Sequence, residues 1–129
     1  MKKRKQKHFK PPVFTTIIGK STRITGDVAF SDSLHLDGEI HGNILGEGDN
    51  STLTVSDQAM IRGDVRLDNI IVNGRIEGNI HAEERVELTK NAVIICKIEY
   101  SLLEMAMGAS VEGEMIRLTE HREDKPENS

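Results

Sequence analysis

Three histidines are the residues of this chain with the most obvious capacity for chemistry. His35, His41 and His81 could in principle ligate zinc, which proteins hold with three or four nitrogen, sulfur or oxygen ligands. Each stands between apolar residues of an alternating stretch, and no second histidine or carboxylate follows at a ligand spacing. We therefore expect three outward-facing histidines at separate positions, and no metal site.

Nucleotide binding and nucleophilic catalysis have equally little support. Gly19-Lys20-Ser21 resembles the end of a phosphate-binding loop, but the first glycine of such a loop would stand at position 14, which is Phe14. Serines and aspartates are scattered without a histidine placed to activate them. Cys96, the single cysteine, cannot form an intramolecular disulfide, and we expect it to be a buried, inert thiol. The sequence predicts no cofactor, no small-molecule substrate and no catalysis.

A five-residue phrase, apolar-x-Gly-polar-apolar, recurs along the chain. Clear copies begin at Ile24, Ile40, Ile61, Ile76 and Val111, and a degenerate copy with Cys96 at its centre begins at Ile94. The centres are 15 to 21 residues apart, and the longest interval contains an insertion at 46–51 that is either a longer turn or a docking loop. Apolar and polar residues alternate within each phrase, as they do in strands. The chain is therefore predicted to be a β-strand repeat protein.

A second phrase, apolar-x-apolar, precedes each copy and is joined to it by one of two kinds of corner. Asp37-Gly38 and Asn73-Gly74 are tight corners, where glycine readily adopts a positive φ. The other corners are two residues longer and close on a small residue, as in 19–22 and 89–92. A third apolar position follows most central residues by four. Each period therefore corresponds to about three short strands.

Such short strands can bury their apolar side only if successive periods stack on one another. The predicted fold is all-β, a single-domain parallel β-helix of about six rungs, roughly 29 Å long at ~4.8 Å per rung. The 129 residues include only four aromatics, which suits a narrow lumen filled by aliphatic side chains.

The position after each central residue forms a predicted ladder of polar side chains on the outside. In its first four members an acid alternates with an amide, an arrangement that avoids contact between like charges. Arg62 and Glu77 are expected to face each other across one rung in a neighbouring column. The ladder consists of Asp27, Asn43, Asp64, Asn79, Lys97 and Glu114.

Charge divides the chain into three predicted segments: a basic disordered tail at 1–14, the β-helix at 15–118 and a polar disordered tail at 119–129. The first ten residues carry six positive charges and no acid, whereas the whole chain has a net charge of −4. This arm is either a solvated tail or a contact with an anionic membrane. Nucleic acid is a less favoured partner, because the acidic body would oppose its approach. The predicted membrane contact consists of Lys2, Lys3, Arg4, Lys5, Lys7, Phe9 and Lys10.

No apolar run approaches the ~20 residues of a membrane span and no secretory segment is recognisable, so the expected location is the cytoplasm, with the arm at the inner membrane.

Both ends of the predicted β-helix carry apolar residues without an obvious polar cap. Solenoids that remain monomeric normally need such caps, and exposed strand edges tend to pair. We therefore predict a homopolymer that assembles end to end. The predicted interface consists of Val13, Phe14, Ile17 and Ile18 at the amino end and of Val111, Met115, Ile116 and Leu118 at the carboxyl end.

A second interpretation is a left-handed β-helix enzyme of the hexapeptide acyltransferase or γ-carbonic-anhydrase type. The stretches 18–22 and 55–61 are locally hexapeptide-like. Three hexads would give a rung of 18 residues, but the tight glycine corners break the six-residue phase. This alternative predicts a discrete trimer whose activity depends on His41 or His81.

The glycine phrases in their order resemble those of the bactofilins. The resemblance covers about residues 15–118 and implies a right-handed β-helix with disordered tails, in a bacterial cytoskeletal protein that forms nucleotide-independent, non-polar filaments. It also implies attachment to the inner membrane through a short N-terminal segment, and a role in cell shape beside peptidoglycan-modifying enzymes. The phrases are Ile24-x-Gly26-Asp27-Val28, Leu36-Asp37-Gly38-x-Ile40-x-Gly42-Asn43-Ile44 and Val72-Asn73-Gly74-x-Ile76-x-Gly78-Asn79-Ile80-His81-Ala82.

Overall fold

The computed structural model describes residues 15–118, which form strands and turns without a helix. All strand pairs in this part are parallel, and the chain winds into a β-helix of about six turns, which confirms the predicted fold class. The two predicted tails lie outside the described residues, and the right-handed sense stays a prediction. The strands are β1 Thr15–Ile18, β2 Arg23–Thr25, β3 Val28–Leu36, β4 Glu39–His41, β5 Ile44–Val55, β6 Met60–Arg62, β7 Val65–Val72, β8 Arg75–Glu77, β9 Ile80–Leu88, β10 Val93–Tyr100, β11 Leu102–Met105 and β12 Ser110–Arg117.

Each turn of the β-helix, here called a rung, contributes one segment to each of three faces. Face A stacks β1, the second halves of β3, β5, β7 and β9, and β11. Face B stacks β2, β4, β6, β8 and the first halves of β10 and β12. Face C stacks the first halves of β3, β5, β7 and β9 on the second halves of β10 and β12. Rung 1 begins at Thr15 and rung 6 ends at Arg117.

The core consists of aliphatic columns that run the length of the β-helix. On each face at least one apolar residue per rung points inward and stacks on its equivalent in the next rung, and in rungs 2 to 5 its side chain is almost completely buried. Each fully buried aliphatic side chain contributes roughly 1.5–3 kcal/mol relative to its exposed state. One such column per face contains Leu36, Val55, Val72 and Leu88 (face A), Ile40, Ile61, Ile76 and Ile94 (face B), and Ile44, Val65, Ile80 and Ile98 (face C).

The central glycines form a column of their own where face B turns into face C. Gly63 has a φ of +150° and Gly78 a φ of +152°, in the region that side-chain-bearing residues rarely adopt. A Cβ on Gly78 would lie 2.0 Å from the carbonyl oxygen of Gly63 in the rung before it. Glycine is therefore required here both by the backbone conformation and by the close approach of adjacent rungs.

Cys96 occupies the same column, and its predicted burial is wrong. It is exposed, with a φ of +135° that matches the glycines above and below it. The residue stands at the corner between two faces, outside the columns that line the lumen, so its side chain does not enter the core. In the degenerate copy of the phrase, Cys96 therefore adopts the positive φ that glycine adopts in the other copies.

The insertion at 46–51 is a bulged corner inside β5. The register with β7 shifts between Leu45 and Thr52. Ser51 is completely buried, and its Oγ accepts the N–H of Asp68 at 3.0 Å. The N–H of Asn50 donates to Oδ2 of Asp68 at 2.7 Å. Two hydrogen bonds to the following rung thus hold the insertion at the corner between faces C and A.

The glycine column generates a direct test of the stacked geometry. We expect Gly78→Ala to lower the free energy of unfolding by more than ~2 kcal/mol, because the new Cβ would meet the Gly63 carbonyl in a backbone conformation that disfavours alanine. Gly19→Ala is the matched control, since a Cβ at Gly19 meets nothing within 4 Å, and it should change stability by less than ~0.5 kcal/mol. Chemical denaturation followed by circular dichroism measures both, and equal losses would contradict the close approach at Gly78.

Candidate functional site

The two ends of the β-helix present strands that pair on one side only. Within residues 15–118, β11 and β12 pair with β9 and β10 below them and with nothing above. At the opposite end, β1 and β2 pair with β3 and β4 alone. Each end therefore displays backbone N–H and C=O groups that a further strand could satisfy, and such edges are natural sites of association.

The carboxyl end is also the most apolar surface of the described residues. Seven large apolar side chains are exposed in this part of the chain, and five of them belong to rung 6. Met107, in the last corner, is 93% exposed. The five are Leu102, Met105, Met107, Met115 and Ile116.

Two of the four interface residues predicted for the carboxyl end lie in core columns, and the other two do not. Val111 and Met115 end core columns, since they stack on Ile94 and Ile98 of rung 5 and have no described rung above them. Ile116 pairs with Glu99 and continues an outward column instead. Leu118 follows β12, and its N–H donates to the carbonyl of Tyr100 at 2.6 Å.

Three apolar residues of this end were missed by sequence reasoning. Met105 ends the core column of Leu88, Leu102 stands on the outer side of face A, and Met107 lies in the corner that follows. The sequence did contain a signal for Met105. Leu103-x-Met105 is the last apolar-x-apolar phrase, so no later copy of the phrase stacks on it.

At the amino end the described part of the predicted interface comprises two isoleucines. Ile18 points inward below Leu36 and is buried. Ile17 pairs with His35 on the outer side of face A and is 66% exposed. The predicted interface residues Val13 and Phe14 lie outside the described residues.

The predicted membrane contact also lies outside the described residues. It comprises Lys2, Lys3, Arg4, Lys5, Lys7, Phe9 and Lys10. Across 15–118, the structure contains no helix with the length and apolar character needed to cross a bilayer.

The predicted polar ladder lies on face C, where it bonds to the backbone. Oδ1 of Asp27 accepts the N–H of Asn43 at 2.9 Å, and Oδ1 of Asn43 accepts the N–H of Asp64 at 3.0 Å. Oδ1 of Asp64 in turn accepts the N–H of Asn79 at 3.1 Å. An aspartate or asparagine fits each position because both carry an acceptor oxygen at the same short reach. The ladder thus joins successive rungs as well as separating like charges.

Ion pairs on face B form both between neighbouring rungs and within one strand. Arg62 lies 3.2 Å from Glu77, as the sequence predicted, and Arg75 lies 2.7 Å from the same carboxylate. The hydrogen bond from Arg75 and the charge of Arg62 hold the pKa of Glu77 below its ordinary value, against the opposing effect of desolvation. Because these groups are exposed, each pair is a minor contribution to stability.

The three histidines occupy separate columns, in agreement with the sequence prediction. His41 stacks between Thr25 and Arg62 on face B, whereas His35 lies on face A and His81 on face C. Within residues 15–118, no three His, Cys, Asp or Glu side chains come together in an arrangement that could hold a metal ion.

Among residues 15–118, His81 is the centre of the one histidine cluster that spans rungs. Its Nδ1 lies 2.7 Å from Oε1 of Glu99 on the next rung, and its Nε2 lies 2.6 Å from Oε2 of Glu83. Desolvation by partial burial lowers the pKa of His81, but the hydrogen bonds to Glu99 and Glu83 outweigh it, and the net shift is upward. The hydrogen bond to His81 is the main cause of a lowered pKa at Glu99. The cluster is therefore an ion pair when His81 is protonated.

Comparison with known proteins places this sequence in a family. The family model described as "Bactofilin: Polymer-forming cytoskeletal" matches residues 16–116. The chain is 30% identical to bactofilin BacO of Myxococcus xanthus (strain DK1622) over 98 residues, which cover 76% of this chain and 75% of that protein. It is 31% identical to bactofilin BacP of the same organism over 101 residues, which cover 78% of this chain and 41% of BacP. The chain thus spans less than half the length of BacP. No solved structure matches the chain significantly.

The His81 cluster predicts a pH dependence of stability. Because the pKa of His81 is raised in the folded state, protonated His81 stabilises the fold. This stabilisation is complete below the unfolded-state pKa of about 6.5, and it is lost as the pH rises through the folded-state pKa. The lowered pKa of Glu99 adds stability above about pH 4.5, which is lost as the pH falls through its folded pKa. We therefore expect His81→Gln to be most destabilising between about pH 5 and 6.5 and least destabilising near pH 9.

Urea denaturation at a series of pH values measures this difference. Glu99→Gln is the companion variant, because in its background the pH dependence of the His81→Gln effect should shrink. A His81→Gln effect that is constant from pH 5 to 9 would contradict the ion pair.

Proposed function

The chain belongs to the bactofilin family of polymer-forming cytoskeletal proteins, and from this premise we propose that its homopolymer grows end to end, with strand pairing continued from one β-helix into the next. The observation that carries the proposal is the concentration of exposed apolar side chains in rung 6, beside strand edges that are paired on one side only. A polar cap would be expected in a β-helix that remains single.

Two interactions of different kinds support such a junction. Val111 and Met115 end core columns, so a facing rung would bury them and extend the lumen across the junction. The unpaired backbone groups of β11 and β12 would gain the hydrogen bonds that hold every other rung. Because both interactions already recur within the chain, the junction requires no new type of contact.

We infer further that this assembly needs no nucleotide. Burial of apolar side chains and completion of strand ladders are favourable by themselves, so no chemical step is needed to drive growth. The length of the filaments then follows from the protein concentration and the affinity of the ends.

Membrane association is a second part of the proposal, and it concerns the basic arm. Residues 2–10 contain six positive charges and Phe9, whereas residues 15–118 contain nine basic and seventeen acidic residues. An anionic bilayer would attract the arm, at roughly 1 kcal/mol per basic residue, and repel the body. The arm would therefore act as a tether that holds the β-helix at a distance from the inner membrane.

The cellular role that we propose is a scaffold for cell shape or for enzymes that modify peptidoglycan. A filament repeats the same lateral ladders at regular intervals, so it would offer many equivalent binding positions along one line. Multivalent display of this kind raises the effective affinity for partners that are themselves clustered at the membrane.

The end-to-end junction is tested by a charge placed in the core column of rung 6. We expect Met115→Arg to shorten the filaments at least tenfold, because an arginine at that position would have to be buried in the junction. Ile71→Arg is the matched control, since Ile71 points outward on face A in the middle of the β-helix. Electron microscopy gives the filament lengths, and normal filaments from a folded Met115→Arg protein would contradict the proposed junction.

The proposed contact between the basic arm and the membrane is tested by deletion of residues 2–10. The shortened protein should form filaments as the full chain does, but it should lose at least 90% of its flotation with vesicles that contain anionic lipid. Vesicles of neutral lipid are the control, and the full chain should float with them poorly. Undiminished flotation after the deletion would show that another part of the chain carries the contact.

A further inference from the structure

A groove on face C contains none of the residues predicted for the polymer interface. Its volume is about 410 Å³, and it crosses rungs 1 to 3. Ala29 and Leu45 contribute its apolar surface, and Asp27, Asp64 and Arg66 contribute charges. Leu45 is 42% exposed, and it is the one exposed large apolar side chain of residues 15–118 that lies outside the two end rungs. The groove thus combines an uncovered apolar side chain with two carboxylates.

The two carboxylates are fixed in place but not neutralised. Each gives one oxygen to a backbone N–H of the next rung, Asp27 to Asn43 and Asp64 to Asn79. Neither forms an ion pair within the described part of the chain. Arg66 stands at the far side, in the same column as Glu99 two rungs further on. Asp64 lies in the same rung as Arg66, whereas Asp27 lies two rungs away, and two aspartates against one arginine leave the lining of the groove with an excess of negative charge.

We propose that this groove binds the amino-terminal segment of the same chain, residues 1–14, with Phe9 against Leu45 and the neighbouring lysines beside Asp27 and Asp64. The segment has the two properties that the groove selects, an aromatic side chain and a dense positive charge. The other terminal segment, 119–129, has neither, since it lacks aromatic residues and carries four acids against two basic residues. Charge complementarity therefore singles out the amino-terminal segment.

The start of β1 lies close enough for this contact within one molecule. Thr15 pairs with Ser33, at the corner where face C passes into face A. Ala29 is four residues before Ser33 on β3, a distance of at most ~14 Å. Residues 10–14 in an extended course cover ~17 Å, so Phe9 can reach the groove. A link this short gives an effective concentration in the millimolar range, which favours the segment of the same chain over that of another copy.

This contact would regulate the arm. Phe9 and the lysines cannot lie in the groove and in a bilayer at the same time, so groove and membrane would compete for one segment. The docking itself does not depend on the proposed membrane contact, and it is tested with no lipid present.

Carbodiimide crosslinking of the full wild-type chain tests the contact, because this reagent joins amines and carboxylates that touch. A mixture of ¹⁴N-labelled and ¹⁵N-labelled protein is treated at low ionic strength and analysed by mass spectrometry. We expect crosslinks from lysines of residues 2–10 to Asp27 or Asp64, at least fivefold above those to Asp57 and Glu112, with both peptides carrying the same isotope. If crosslinks between peptides of different isotopes dominate, the groove binds the segment of a second copy, and the proposal is overturned. The absence of crosslinks to Asp27 and Asp64 would overturn it as well.

A pair of charge variants provides an independent measurement. Asp27→Asn combined with Asp64→Asn keeps the acceptor oxygen that the ladder uses, as the amide of Asn43 does in accepting the N–H of Asp64, so the fold should be retained. We expect trypsin to cleave within residues 2–10 of this variant at least fivefold faster than in the wild type at low salt. Asp57→Asn combined with Glu112→Gln changes the net charge equally and should leave the rate unchanged. Equal cleavage rates in the wild type and both variants would overturn the proposal.

Discussion

Stacking of one rung on the next is the constraint on which this structure depends. A strand of three residues such as β4 has no stability alone, and its backbone groups and its inward isoleucine are satisfied only by the rungs on either side. The glycine column allows this stacking, because a Cβ at Gly42, Gly63 or Gly78 would collide with the carbonyl of the rung before it. Within residues 15–118, a solenoid held together in this way ends in two rungs that are paired on one side only, and the proposed end-to-end assembly starts from these rungs.

The sides and the ends of the β-helix carry different chemistry as a result. Along the sides, the ladder from Asp27 to Asn79 and the Arg62–Glu77 pair satisfy polar groups within the chain. At rung 6, methionines and leucine are exposed with no such partners among the described residues. Lateral surfaces of this kind are satisfied within one chain, whereas rung 6 is the surface at which the proposed junction would form. The groove at Leu45 is the exception on the sides, because an apolar side chain is exposed there beside two carboxylates.

Much of this arrangement could be predicted from the sequence. In a parallel β-helix, residues that are one period apart in the sequence lie next to each other in adjacent rungs. The glycine phrases placed Ile40, Ile61 and Ile76 in one column, and the structure confirms that register. Prediction was wrong where residue type was taken as a guide to direction. Cys96 is exposed because the corner backbone, and not the thiol's apolarity, decides where its side chain points. Ile17 and Ile116 point outward because side chains alternate along a strand and their neighbours Ile18 and Met115 point inward, and the place of both in the polymer interface stays a prediction. The hydrogen bonds of the ladder could not be predicted, since the sequence does not show which N–H groups lack a backbone acceptor.

Electron cryomicroscopy of filaments assembled from the purified chain tests the central claim most directly, because it measures the strand spacing along the filament axis across the junctions. If rung stacking continues from molecule to molecule, the axis will show an unbroken repeat of ~4.8 Å, with one subunit for about every 29 Å of length. Strands that run along the filament axis, or subunits joined side by side with their ends free, would contradict it.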